Sequence, residues 1–132
     1  MGINRINPPE LHQTPGYHHI TVVEAGRTAY LAGQCPLNKE GEVVEGGLEA
    51  QIDAVVANAM TALAAVDAKP SDVVRSVIYV VSHEQETLAG VWARLTESGL
   101  AEAFTTASTL LGVAQLGYRG QLVELDLTAA LP

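Results

Sequence analysis

Cationic side chains are scarce in this sequence: seven Lys and Arg stand against fifteen Asp and Glu, a formal charge of −8 with a pI near 4.8. No basic cluster offsets this locally, so the surface repels phosphate backbones and a nucleic-acid partner is not expected. Cysteine is nearly absent. Cys35 stands alone, which rules out an internal disulfide framework and fits a reducing, cytoplasmic setting. No apolar run approaches the ~18 residues of a membrane span, and the opening residues lack a basic stretch followed by an apolar one. A membrane partner is therefore not expected either. The four histidines share no ligand spacing. His18 and His19 are neighbours on an extended segment and point to opposite sides, His12 lies in a proline-punctuated stretch, and His83 stands at a helix start. No metal site is expected from them, no glycine pattern cradles a phosphate, and no cofactor is implied. The single tryptophan, Trp92, falls at helical spacing and reads as core or interface.

What is present describes an ordinary folded chain. The 132 residues are 48% hydrophobic and 17% charged, which suits one domain over 1–132 with a core of its own. Pro8, Pro9, Pro15 and Gly16 make residues 1–16 an extended arm. Strands are expected at 17–23 and 28–32, joined as a hairpin by Glu24-Ala25-Gly26-Arg27. Leu48, Ile52, Val55, Val56, Ala59 and Leu63 form one apolar stripe, predicting a helix from 48 to about 67 that Lys69-Pro70 ends. A strand follows at 73–81, then a helix at 85–97 with Leu88, Val91, Trp92 and Leu95 on one face. Two strands, 108–114 and 122–128, flank the turn Gly117-Tyr118-Arg119-Gly120. The order ββαβαββ predicts an α+β fold, one mixed sheet with two helices on one face.

Two helices cover only one side of such a sheet. In the last strand Val123, Leu125, Leu127 and Ala129 alternate with Glu124, Asp126 and Thr128. The strand at 73–81 does not alternate: Val73, Val77, Tyr79 and Val81 share one side, and Val74, Ile78 and Val80 the other. An apolar sheet side without helices needs a cover, and copies of the same chain in closed symmetry are the commonest one. A homo-oligomer is expected, with Glu124 at its seam.

Four segments, in order, resemble the RidA/YjgF (reactive intermediate deaminase) family: Pro15-Gly16-Tyr17, Ala32-Gly33-Gln34-Cys35-Pro36, Asp72 through Val80, and Ala107 through Val113 followed by Leu122-Val123-Glu124-Leu125. The resemblance runs from about residue 15 to the end. It implies a chorismate-mutase-like fold and a homotrimer whose sheets pack around a central barrel, with small-molecule clefts between subunits. It also implies hydrolysis of enamine and imine intermediates. In such a cleft an arginine grips the substrate carboxylate and a glutamate positions the attacking water.

By this resemblance Glu124 is the catalytic glutamate, Tyr17 a tyrosine at the cleft mouth and Gly33 the glycine of the substrate-side loop. The arginine has no match. Its place falls on Ser108, whose hydroxyl can bond a carboxylate but brings no charge. Arg119, in the turn before Glu124, and Arg75, within a strand, are the two candidate cations to take its place. Plainer roles exist for several of these residues: an interface carboxylate paired with Arg75 for Glu124, a surface acid for Asp126, and a small buried thiol for Cys35. The expectation is a RidA-like deaminase or hydrolase of a reactive small metabolite, with Glu124 catalytic and Tyr17, Gly33, Ser108 and Arg119 binding substrate. The alternative is a non-catalytic family member that senses or sequesters a small molecule.

Overall fold

The helical periodicity of the 48–63 stretch becomes a helix that turns Ile52, Val55, Ala59 and Leu63 inward. It is one of eight main elements in the computed structural model, which describes residues 2–132. In chain order these are β1 (Ile3–Ile6), β2 (Ile20–Val23), β3 (Thr28–Tyr30), α1 (Gly47–Ala64), β4 (Val73–Val81), α2 (Gln85–Thr96), β5 (Ala107–Val113) and β6 (Val123–Ala130). Short 3-10 turns, Pro70–Asp72 and Ala101–Phe104, precede β4 and β5.

Four strands form a mixed sheet in the order β3-β6-β4-β5. β6 runs antiparallel to both β3 and β4, while β4 and β5 are parallel. Parallel neighbours need a crossover connection, and α2 supplies it. Ile52, Val55 and Leu63 of α1 and Val91 and Leu95 of α2 pack with Ile78, Val80, Val123, Leu125 and Leu127 of the sheet into one core, which Leu100 and Phe104 close at the end. The fold is thus α+β, with both helices on one sheet face. Outside that core the helices are clasped by a bidentate pair, Arg94 Nε to Asp53 Oδ1 at 3.0 Å and Nη2 to Oδ2 at 2.9 Å. The guanidinium holds the exposed Asp53 carboxyl below its ordinary pKa.

The N-terminal third departs from expectation. The hairpin between 17–23 and 28–32 does not form. β3 pairs with the end of β6, Thr28 opposite Ala130, and this leaves the β2 backbone without a partner on that side. β1 provides one, Ile3 opposite Val23 and Ile6 opposite Ile20. The arm expected over 1–16 is therefore extended but contains a paired strand; its first residue lies outside the described residues. Arg5 ties this two-stranded ribbon down, its Nη2 donating to the carbonyls of Ser71 (2.9 Å) and Val73 (3.0 Å).

Two local corrections matter for the faces. α1 stops at Ala64, short of residue 67, because Asp67 takes a left-handed φ of 57°. The N–H groups of Asp67 and Ala68 then close back on the carbonyls of Ala64 and Leu63, a Schellman closure that ends the helix before Lys69-Pro70 is reached. In β4, the register against β6 slips between Val73 and Arg75. The extra residue of this bulge turns Val73 into the core beside Ile78 and Val80, away from Val77, Tyr79 and Val81. The helix-free side carries Glu124, Asp126 and Thr128 of β6, with Tyr30 81% and Leu111 38% exposed on it.

Leu125 is fully buried at the centre of this arrangement. Leu125→Ala is expected to cost about 2–5 kcal/mol in urea unfolding; a loss under 1 kcal/mol contradicts the assigned core.

Candidate functional site

Glu124 stands on the helix-free side of β6, opposite Tyr79 on β4. Along the other edge of β6 the ladder is carried past β3 by Leu31, whose N–H meets the Leu127 carbonyl, and by Gln34, which exchanges both backbone bonds with Leu125 at 2.6 and 3.0 Å. An extra residue is looped out between them, which brings Gly33 beneath the Glu124 side chain. A Cβ on Gly33 would lie 1.9 Å from Glu124 Oε2 and 2.8 Å from its carboxyl carbon. Only glycine leaves room for the carboxylate here.

The carboxylate is held from its other oxygen. Oε1 accepts a bond from Gln121 Nε2 at 3.1 Å and from the Cys35 thiol at 3.5 Å. Burial pushes the Cys35 thiol above its ordinary pKa, and the Glu124 charge adds to the rise while the Gln121 amide works against it. Gly33 and Cys35, together with Lys39, Asn58 and Tyr118, line a pocket of about 460 Å³. Asn58 of α1 fixes the rim of this pocket, donating to the carbonyls of Cys35 and Leu37, each at 3.0 Å.

The other expected residues lie elsewhere. Tyr17 and Ser108 line a separate groove of about 580 Å³ with Pro15, Ala89, Trp92 and Leu110. The Tyr17 ring meets Trp92 edge-on at 6.3 Å, and its hydroxyl is bonded to His12 Nε2 at 2.9 Å. Ser108 is the register partner of Ser76, a fully buried residue of the helix side. Its hydroxyl is engaged within the chain, with Ser76 Oγ at 2.6 Å and the Thr106 carbonyl at 3.0 Å. Ser108 and Glu124 therefore face opposite sides of the sheet within one chain. Arg119 is exposed and lines a neighbouring pocket with Gln121, so the cation that shares a pocket with Gly33 is Lys39. Among the described residues the only ion pairs are those of Arg94 with Glu49 and Asp53; Arg75 does not reach Glu124. His18 and His19 bond the carbonyls of Thr105 and His12, roles that fasten loops.

Three supporting residues escaped the sequence reading. Gln121 holds Glu124. Gln51, buried in α1, donates to the Gly120 carbonyl at 2.9 Å and accepts from the Leu122 N–H at 2.7 Å, pinning the turn that carries Gln121. Asn58 is the third. A signal existed for Gln51 and Asn58, since both are amides on or beside the apolar stripe of α1. For Gln121, in a turn, none did.

Comparison with known proteins gives a consistent result. The model of the family described as Endoribonuclease L-PSP matches residues 10–131. The chain is similar to Protein DfrA of Myxococcus xanthus, 34% identical over 116 residues that cover 86% of this chain and 83% of DfrA. Among solved structures it is similar to YyfB of Yersinia pestis, a protein of unknown function of the conserved Rid protein family. Identity is 35% and the TM-score 0.89, over 99% of this chain and 100% of that one. Yeast Mmf1, 17% identical, shares the fold with a TM-score of 0.69 over 98% and 99% of the two chains.

Gly33→Ala tests the close approach. Its methyl group strikes the end of a side chain, so the carboxylate swings away and the backbone stays. The expected result is a crystal structure with Glu124 Oε1 detached from Gln121, at a cost of about 1–3 kcal/mol in thermal unfolding. An unmoved carboxylate contradicts the geometry.

Proposed function

The chain belongs to the endoribonuclease L-PSP (RidA/YjgF) family, and on that premise we propose that it is a RidA-like hydrolase of imines, enamines or related reactive metabolites, working at clefts between the subunits of a homotrimer. The observation that carries this reading is the Glu124 carboxylate, held at Oε1 by two donors while Oε2, lying over Gly33, takes no hydrogen bond from the described residues. A water bonded to Oε2 adds its hydroxyl to the imine carbon while its other proton passes to the carboxylate. That proton goes on to the imine nitrogen, giving a carbinolamine. Transfer of the hydroxyl proton to nitrogen then breaks the carbon–nitrogen bond, so imine and water become carbonyl and ammonia. An enamine first becomes the imine, gaining a proton at carbon and giving up one from nitrogen.

Within one chain the groove of Tyr17 and Ser108 and the pocket of Gly33 are apart. A neighbouring copy against the helix-free side joins the groove of one subunit to the glutamate of the next. The apolar side chains exposed there, Tyr30 and Leu111, support such a cover. The net charge of −8 argues against RNA as the substrate, whatever the family's description. Among the described residues no helix is long and apolar enough to cross a membrane.

A second reading, a non-catalytic binding protein, is favoured by one observation: Ser108 stands at the expected arginine position with its hydroxyl already bonded to Ser76. Stopped-flow decay of a panel of 2-imino acids separates the two. The wild type is expected to exceed buffer, and Glu124→Gln to reduce that excess by roughly 10²–10⁴-fold. A wild type equal to buffer, with Trp92 emission still responding to the substrate's carbonyl product, selects the binding protein. Sedimentation velocity is expected to show an assembly of three 13.9 kDa chains; a well-folded lone chain at micromolar concentration overturns the inter-subunit cleft.

A further inference from the structure

Every donor on the Glu124 carboxylate among the described residues falls on one oxygen. Gln121 is built to be immobile there. It is 3% exposed, its two amide protons are committed to the Val123 carbonyl and to Glu124 Oε1, both at 3.1 Å, and its own oxygen accepts the Tyr118 N–H at 3.1 Å. An amide with both protons and its oxygen engaged cannot rotate without losing several bonds at once. Gln51 holds the same turn from α1, through Gly120 on one side and Leu122 on the other. The second donor, the Cys35 thiol, has Glu124 Oε1 at 3.5 Å and the Gly33 carbonyl at 3.6 Å within reach of its single proton, and it reaches Oε1 only while protonated, since a thiolate would face a carboxylate.

We propose that Gln121 is the positioning residue of Glu124 and the Cys35 thiol its second tether, so that Oε1 is blocked and Oε2 is the single working oxygen of the carboxylate. The proposal rests on the reading of Glu124 as the group that orients water, but the geometry it asserts is measurable without turnover. The remaining titratable groups around the pair are Tyr79 opposite Glu124, Asp126 two residues along the same side, and Lys39 and Tyr118 on the pocket wall.

Cys35 is the only thiol in the chain, so its ionisation reports on the tether. Thiolate absorbance near 240 nm is followed against pH in the intact protein, with Cys35→Ser subtracted to remove tyrosine ionisation. The wild-type midpoint is expected above that of an ordinary exposed thiol, because burial and the Glu124 charge both raise it. The unfolded chain releases this proton first, so the protonated thiol supports the fold below that pH, and the support fades as pH rises through the native midpoint. Glu124→Gln removes the charge and lowers the midpoint. A crystal structure of Gln121→Leu reads the amide: Glu124 Oε1 is expected to leave its place beside the Cys35 thiol, and a carboxylate unmoved without the amide overturns the positioning role. The proposal is likewise overturned if Glu124→Gln leaves the thiol midpoint in place. If Gln121→Leu does not fold, Glu124→Gln, at a half-exposed position, still decides the thiol contact, and Gln121→Glu, nearly the same shape, decides the amide: its carboxylate cannot donate to Oε1, so Glu124 is expected to turn away from it, and an unmoved Glu124 overturns the positioning role. Where imine turnover is measurable, Gln121→Leu is expected to lower kcat by roughly 10–100-fold with KM little changed; an unchanged kcat also overturns it. Absence of any turnover sinks the hydrolase reading alone and leaves the thiolate result to stand or fall separately.

Discussion

β6 is paired along both edges, with β4 on one side and with β3, Leu31 and Gln34 on the other. Its alternation cannot slip by one residue without carrying Leu125 and Leu127 out of the core and three polar residues into it. That register is the constraint from which the site follows. It sets Glu124 on the side away from the helices, places Leu125 where Gln34 can pair with it, and so draws the Gly33 loop under the carboxylate. Stability and chemistry are two faces of one strand, and the core side fixes the position of the other.

The same logic explains why the site is assembled from several segments. β6 supplies the acid, the loop after β3 supplies Gly33 and the thiol, and the turn before β6 supplies the amide. The loop and the turn are each held by α1 through a buried or half-buried side-chain amide, Asn58 for the loop and Gln51 for the turn. The helix that contributes most of the apolar face also carries the two polar groups that set the site's rim.

Much of this was legible in the sequence wherever local pattern alone decides. The α1 stripe, the alternation of β6 and the order of the elements from residue 20 onward follow from side-chain periodicity, and the structure keeps them. Pairing partners are not a local property. Residues 20–23 and 28–30 read as adjacent strands with a turn between them, yet β6 captured one and β1 the other. The bulge that turns Val73 inward depends on β4 and β6 together, so no pattern within 73–81 announces it. In the site, Glu124 was visible as an acid opposite a buried leucine face and through the family resemblance. Gln121 was not, because an amide in a turn becomes informative only when its partners are known. The separation of Ser108 from Glu124 likewise follows from parallel pairing with Ser76, which sequence spacing does not specify.

The ribbon of β1 and β2 stands apart from the core these registers create. Arg5 fastens it through two carbonyls while its Nε is buried without a partner, and the Thr21 hydroxyl bonds that of Thr106 and accepts the Ala107 N–H. Ile6, Ile20, Val22 and Val23 on it are each more than a third exposed. So few anchors make the ribbon its own cooperative unit, whose amide protons trade with solvent well before those of β4 and β6. Partial opening bares β-branched residues on a strand with free hydrogen-bonding edges, so the route by which this protein first aggregates under stress begins at its amino-terminal end.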